Sequence, residues 1–117
     1  MKQLPIYKTL KDSPEVVALL GDKIYEDLAP EKTMPPYLVW SEVAGTPNNN
    51  LDCPANNDHV MYQIMVYSPH QKTASDIRTA VCNVLQEHSH ILSRIGDYEN
   101  DTRLFARGFD ANWWLDR

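Results

Sequence analysis

Two histidines separated by one residue, His88 and His90, resemble part of a metal-binding motif. Imidazole nitrogens bind zinc, but a zinc site needs three or four ligands and further polar groups that orient them. The sequence has no C-x-x-C and no H-E-x-x-H pattern to supply the rest. The pair lies where a helical pattern ends, and a charged imidazole is favourable beside a helix C-terminus. We therefore predict a solvated helix end here and no metal site.

A cluster of acids, Asp97, Glu99 and Asp101, stands next to Arg103 and offers oxygen ligands for a cation. The EF-hand calcium loop also needs a glycine at its turn and a distal glutamate, and the pattern is absent. A solvated hairpin loop is the better explanation. The chain also lacks a G-x-S-x-G elbow and any phosphate-binding glycine motif, and it has only four glycines. We expect no catalytic residue and no cofactor, in a protein that is not an enzyme.

The size and charge of the chain narrow the class of protein further. Its 117 residues fit one domain, residues 1–117. A net charge of −5 argues against a protein that grips a phosphate backbone, although nucleic acid could still pass by it. No apolar run is long enough to span a bilayer, so no membrane partner is expected. No export signal is visible, and the two cysteines, Cys53 and Cys82, are expected to be free thiols.

Hydrophobic periodicity predicts the elements that position these residues. A helical region begins near residue 4, restarts at Ser13 and Pro14, and ends at Gly21. Strands are predicted at residues 24–28, 37–44, 58–68, 91–101 and 102–117, and a long helix at residues 71–88. The expected fold class is α+β. It has a mostly antiparallel sheet of four to five strands, with an N-terminal helix and one long amphipathic helix packed on one face.

The segment 58–68, DHVMYQIMVYS, is the best strand in the chain. One of its faces carries Val60, Tyr62, Ile64 and Val66, and the other carries Met61, Gln63, Met65 and Tyr67. Because both faces are largely apolar, we predict a central strand that is covered on both sides. The apolar stripe of the long helix, including Ile77, Val81, Val84 and Leu85, is expected to pack against the first of these faces.

Adjacent tryptophans near the C-terminus, Trp113 and Trp114, cannot both enter the same core. Neighbouring strand residues point to opposite faces, so one ring faces inward and the other outward. A second layer of the same chain would cover Trp114 in one reading. In the other, Trp114 contacts another subunit, since exposed aromatic residues are enriched at interfaces. The sequence leaves both readings open.

A stiffened strand leads into an asparagine-rich loop. Pro35 and Pro36 bias the chain toward extended geometry just before the strand at residues 37–44. The loop at residues 46–57 contains five asparagines and two prolines, and Leu51 is its one large apolar residue. Such a composition buries too little apolar surface to offset the entropy of ordering. We predict that the loop is mobile in the free subunit and becomes ordered in an assembly.

Two long segments of the chain carry a recognisable series of motifs. The first segment is VVALLGDKIYEDLAPEKTMPPYLVWSEVAGTPNNNLD, which contains ALLGDKIY, PYLVW and GTP. The second is HVMYQIMVYSPHQKTASDIRTAV, a strand with a central Gln63 followed by an amphipathic helix. In these features the chain resembles the tail-completion proteins of long-tailed phages and prophages, and the resemblance covers nearly the whole chain. It is weakest over residues 92–105, and the end RGFDANWWLDR is less regular than the last strand of the family.

The resemblance implies a structural role in the virion. Such proteins form a ring, commonly hexameric, on the head-proximal end of the tail tube, where they stop polymerisation and join tail to head. The implied partners are other copies of the chain, the tail-tube protein and the head–tail connector proteins, with genomic DNA passing through the lumen without specific binding. Assembly would take place in the cytoplasm of the bacterial host.

Several residues are interface candidates in this reading, namely Trp40, Asn48, Asn49, Asn50, Leu51, Asp52 and Trp114. The asparagine-rich loop would serve as a docking arm on a scaffold formed by the strand before it. A second hypothesis belongs to another class of protein. It is a small cytoplasmic adaptor or inhibitor that binds one host protein through the same loop.

The loop hypothesis predicts the effect of a deletion. Removal of residues Asn48 to Asn56, with the gap closed by glycine, should leave folding nearly intact because shortening a surface loop costs little free energy. The same deletion should impair tail termination or head joining in a complementation assay. A shortened protein that rescues infectious particles as well as the full chain would show that the loop is only a connector.

Overall fold

A five-stranded sheet with helices on one side is the scaffold of the chain in the computed structural model, which describes residues 4–47 and 57–116 and the side chains of residues 4–43 and 60–113. In chain order, the elements are α1 (Ile6–Lys11), α2 (Pro14–Leu20), β1 (Ile24–Glu26), β2 (Tyr37–Pro47), β3 (Asn57–Ser68), α3 (Gln71–Leu85), β4 (Ser89–Glu99) and β5 (Leu104–Asp116). The strand order is β1-β2-β3-β5-β4, with β1 parallel to β2 and the other neighbours antiparallel. The predicted α+β class is confirmed.

The caps of α2 follow directly from the residues that flank it. Ser13 precedes the helix in extended geometry, and its Oγ accepts a hydrogen bond from the N–H of Val16 at 3.5 Å. Pro14 occupies the first helical position, where its missing N–H has no cost. Gly21 ends the helix with a φ of 60°, a backbone conformation that side chains disfavour. Both ends of α2 therefore match the sequence prediction.

The central strand of the sheet is β3, which pairs with β2 on one side and β5 on the other. Its helix-side residues are all buried: Val60, Tyr62, Ile64 and Val66. Its other face is only half-buried, at Met61, Gln63, Met65 and Tyr67. Within residues 4–47 and 57–116, the prediction of cover on both sides is therefore wrong. All the described helices pack on the same side of the sheet, in one core cluster.

Helix α3 provides most of that cover. Its buried residues recur at helical spacing along one face: Ala74, Ile77, Ala80, Val81 and Leu85. The helix ends at Leu85 rather than at residue 88, because Ser89 already pairs with Trp113 as the first residue of β4. The chain has only residues 86–88 in which to turn from helix to strand.

The hairpin formed by β2 and β3 is longer than the sequence predicts. Thr46, Pro47 and Asn57, three residues of the predicted loop, lie in strands. Thr46 is opposite His59 and Pro47 is opposite Asp58, so strand pairing continues into the polar segment. The rest of that loop, residues 48–56, lies outside the described residues.

Smaller differences occur at the other strand ends. β1 stops at Glu26 rather than residue 28, because Asp27 takes a φ of 67° and leaves the strand. β4 and β5 begin and end within two residues of their predicted bounds, and they are joined by a turn at residues 100–103, in which Arg103 has a φ of 58°. The predicted solvated loop is therefore shorter, and Asp97 and Glu99 belong to β4.

The packing of α3 predicts the effect of a charge in the core. Val81 is completely buried, and an unpaired carboxylate at that position would cost several kcal/mol, comparable to a total stability of about 5–15 kcal/mol. We expect Val81→Asp to unfold the subunit in thermal denaturation followed by circular dichroism. Asn83→Asp adds the same group at an exposed position of the same helix and should leave the melting temperature nearly unchanged. A Val81→Asp protein with an unchanged melting temperature would contradict this packing.

A close approach between β3 and β5 makes Gly108 sensitive to any side chain. A Cβ atom there would lie 1.8 Å from the carbonyl oxygen of Ile64 and 2.7 Å from Sδ of Met65. At Gly96 in β4 the nearest atom would be Nη1 of Arg107 at 3.6 Å, an ordinary contact. We expect Gly108→Ala to lower the free energy of unfolding by more than about 2 kcal/mol in urea denaturation, and Gly96→Ala to change it by less than about 1 kcal/mol. Equal effects would show that the two strands can separate without cost.

Candidate functional site

The sheet has two unlike faces, and the one turned away from the helices is the candidate functional surface. We call it the open face and define it by the half-buried residues Tyr37 and Val39 of β2, Met61, Gln63, Met65 and Tyr67 of β3, Ile95 of β4, and Asp110 of β5. Strand alternation places these side chains opposite the core residues. No described part of the chain covers them. Apolar side chains in such a position mark a surface suited to protein contacts.

One corner of the open face combines aromatic rings with acids. The rings of Tyr37 and Tyr67 lie 5.2 Å apart, between centroids, at an angle of 30°. Partial burial raises the pKa of both phenols above the ordinary value, and the negative charge of Glu99 raises both further. Asp97 adds to the effect on the pKa of Tyr67. The corner thus presents hydroxyl groups and apolar ring surface beside carboxylates on edge strand β4.

A polar row crosses the middle of the open face. The side-chain amide of Gln63 donates to Oδ1 of Asp110 at 3.4 Å, and the hydroxyl of Ser93 donates to Oδ2 of the same carboxylate at 3.2 Å. The row links β3, β5 and β4 through one acceptor. It divides the apolar surface into two parts and gives any contact across it a defined register.

The histidine pair predicted at the end of α3 is split by the turn into β4. His88 stacks on the indole of Trp113, with ring centroids 5.2 Å apart and an angle of 12°, and both His88 and His90, the latter in β4, are exposed. In the adjacent core, the hydroxyl of Tyr62 lies 2.7 Å from Oγ of Ser89, and burial raises the pKa of Tyr62 to about 12. The stacking contact with Trp113 gives His88 a packing role.

The described residues form few features of other kinds of site. In residues 4–47 and 57–116, no three His, Cys, Asp or Glu side chains are grouped so that they could hold a metal ion. None of the helices in those ranges is long and apolar enough to cross a membrane. Cys82 is a free thiol that is half-buried in α3, and burial raises its pKa.

The predicted interface residues fall in three different places. Trp40 is 4% exposed and lies on the helix side of β2, so its burial does not favour a contact with a partner. Asn48, Asn49, Asn50, Leu51 and Asp52 lie outside the described residues. Trp114 lies in β5 opposite His59, and its side chain is also outside the described set, so the choice between core and interface stays open.

Sequence reasoning missed a group of three arginines at the β4 edge. Arg78 of α3, Arg94 of β4 and Arg107 of β5 line one shallow depression on the helix side of the sheet. Their sequence positions are far apart, so no motif announces them. Strand alternation could have placed Arg94 and Arg107 on a common face, but only after the pairing of Arg94 with Phe109 and of Arg107 with Gly96 was known.

Comparison with known proteins identifies the family of the chain. The family described as Tail completion protein gp17 matches residues 5–116, almost the whole chain. The chain belongs to this family. Its resemblance to tail-completion proteins is thereby confirmed, and the open face belongs to a structural protein of the virion tail.

A solved structure agrees with the fold of this tail completion family member. One chain of the virion of a native gene transfer agent (GTA) particle superimposes with a TM-score of 0.73 over 96% of this chain and 92% of the other. The two sequences are 14% identical, so the likeness concerns the fold. No curated protein matches the sequence significantly.

Proposed function

We propose that the chain assembles as a hexameric ring on the head-proximal end of the tail tube. The ring ends tube polymerisation and offers the surface to which the head is joined. Its partners are further copies of the chain, the tail-tube protein and the head–tail connector proteins. The role is structural and involves no catalytic step and no cofactor, and assembly takes place in the host cytoplasm.

The observation that carries the proposal is the uncovered, partly apolar open face in a member of a tail completion family. Val39, Met61 and Met65 remain half-buried there, although β3 is the centre of the sheet. Burial of apolar area is the main favourable term in protein association. A cyclic ring also needs two unlike surfaces per subunit that close by rotation. The two edges of the sheet are such a pair of surfaces. One edge is β4, and the other is β1 together with the part of β2 that extends beyond its pairing with β1.

The topology also supports the asparagine-rich loop as a docking arm. The loop joins Pro47 to Asn57, and Asn57 lies opposite Asp116 of β5. Trp114, two residues earlier in β5, therefore lies near the same end of the sheet as the loop. We propose that residues 48–52 and Trp114 contribute to one contact with the tube or the connector.

The lumen of such a ring must let DNA pass without holding it. The net charge of −5 suits that purpose, because phosphate binding requires a surplus of positive charge along the path. Asp97, Glu99 and Asp110 place carboxylates on the open-face side of the sheet. We propose that carboxylates along the lumen keep the phosphates of the DNA from binding there.

A charge on the open face tests the proposal. Val39→Glu places a carboxylate on the half-buried apolar surface and should leave a folded subunit that no longer binds the tail tube, because desolvating that charge at an interface is costly. Leu19→Glu, on the exposed surface of α2 at 38% exposure, is the matched control and should assemble like the unmodified chain. Light scattering coupled to size-exclusion chromatography, over a range of concentrations, measures the ring.

Tail length in infected cells supplies the second measurement. Electron micrographs of cells that produce Val39→Glu should show overlong tubes without heads, whereas Leu19→Glu should give tails of normal length. Tails of normal length in a strain that lacks the protein altogether would contradict the proposed role in termination. A chain that is monomeric at every concentration, with and without tail tubes, would contradict the ring.

A further inference from the structure

Three guanidinium groups share a depression at the β4 edge that Asp97 also lines, and none of them forms an ion pair with a carboxylate of the described residues. Two ion pairs among the described residues are those of Lys11 with Asp22 and of Lys72 with Asp76. Neither involves Arg78, Arg94 or Arg107. Burial lowers the pKa of Arg78, and repulsion by the other two arginines lowers it further. Positive charges held together in this way are unfavourable in the isolated subunit.

Backbone contacts hold two of the arginines in place. Nη1 of Arg78 donates to the carbonyl oxygen of Ile95 at 3.1 Å, and Nη1 of Arg107 donates to that of Asp97 at 3.0 Å. The guanidinium of Arg107 also lies 5.6 Å from the ring centroid of Phe105. Each guanidinium has five N–H donors, so these bonds leave several for another acceptor. The arrangement is a preformed receptor for an anionic group.

Carboxylates fit this receptor better than a DNA backbone does. A protein that binds DNA through its phosphates normally presents a basic stripe over several contacts, whereas this chain has a net charge of −5. Arginine binds carboxylates in a bidentate geometry with paired, charge-assisted hydrogen bonds. A second copy of the same acidic chain is the partner that the ring already requires.

Strand register places an acid at the far end of the row that starts at Arg94. Arg94 is paired with Phe109, Phe109 with Ile64, Ile64 with Trp40, and Trp40 with Glu26. Directly paired residues point to the same side of a sheet. Arg94 and Glu26 are therefore on the helix side at opposite edges, in the same row.

The next row ends on an acid as well. Ile91 is paired with Ala111, Ala111 with Tyr62, and Tyr62 with Glu42, which is exposed on β2 beyond the end of β1. Both rows thus have an acid at the β1–β2 edge, and the row of Arg94 has its cation at the β4 edge. Two copies set edge to edge, with their helix sides aligned, would bring Arg94 of one toward Glu26 and Glu42 of the next.

We propose that the Arg78–Arg94–Arg107 depression binds the carboxylates of Glu26 and Glu42 of a neighbouring copy. The contact sets the direction of the ring, because the cationic edge of each subunit fits only the acidic edge of the next. This inference rests on the ring proposed above. It adds the pairing of edges and the ions that select it.

Charge reversal in one edge and then in both tests the pairing. Arg94→Glu and Glu42→Arg should each weaken ring assembly at least about tenfold, measured as the dissociation constant by sedimentation velocity. Chains carrying Arg94→Glu together with Glu42→Arg, or with Glu26→Arg, form a second pair of variants. At least one of these should assemble within about threefold of the unmodified chain, because every interface then regains an opposite-charge pair. If neither recovers, the proposed pairing is wrong.

Lys72→Glu is the matched control, since it makes the same kind of charge change at an exposed position of α3 and should not alter the dissociation constant by more than about threefold. A normal ring from Arg94→Glu would overturn this pairing and leave the ring itself intact. An unmodified chain that never forms a ring would overturn the ring and the pairing together. Fluorescence anisotropy with a short DNA duplex covers the phosphate alternative: loss of DNA affinity in Arg94→Glu, with ring assembly unchanged, would assign the depression to nucleic acid.

Discussion

The packing of α3 on β3 is the interaction on which the rest of the structure depends. Ile77, Val81 and Leu85 of the helix and Ile64 and Val66 of the strand are all completely buried. Burial of one such side chain contributes about 1.5–3 kcal/mol, which is large beside a net stability of about 5–15 kcal/mol. The helices α1 and α2 pack against α3 and enlarge the same layer. All the described helices are therefore committed to one side of the sheet.

Because the described helices all pack on one side of the sheet, they leave the apolar residues of the other side without cover. A central strand is normally apolar on both faces when both are covered, and β3 keeps Met61 and Met65 on the face that the described residues leave uncovered. Methionine and tyrosine suit a surface that is wet in one state and dry in another, since both combine large contact area with adaptable or polar atoms. A single layer of helices thus explains why a small tail protein carries an apolar sheet face.

Charge is distributed unevenly around this scaffold. The net charge of −5 is spread over the chain, yet three arginines meet on the helix side of the β4 edge, and acids occupy the open-face side of the same strand. A strand alternates its side chains between two faces, so one edge can present opposite charges to two different partners. Edge strands with charged residues also resist uncontrolled pairing with the edges of other sheets.

The elements whose signals are local could be predicted from the sequence alone. The cap at Ser13, the terminator Gly21, the apolar stripe of α3 and the alternation of β3 each follow from residue types a few positions apart. The α+β class and the tail completion family were within its reach for the same reason, since order and spacing of such segments are linear properties.

The features that depend on which strands are neighbours are visible only in the folded chain. Residues 46–57 have a loop composition, yet pairing drew Thr46, Pro47 and Asn57 into the hairpin. Strand alternation fixes which residues lie on the same side of the sheet as Trp40, but not which side is the core. The helices pack on the side of Trp40, and that side is therefore the core. The arginines are separated by 16 and 13 positions, from Arg78 to Arg94 and from Arg94 to Arg107, and strand order brings them together. Long-range pairing fixes such groups, and no local pattern encodes it, because the free energy that selects the pairing comes from burying distant segments against each other.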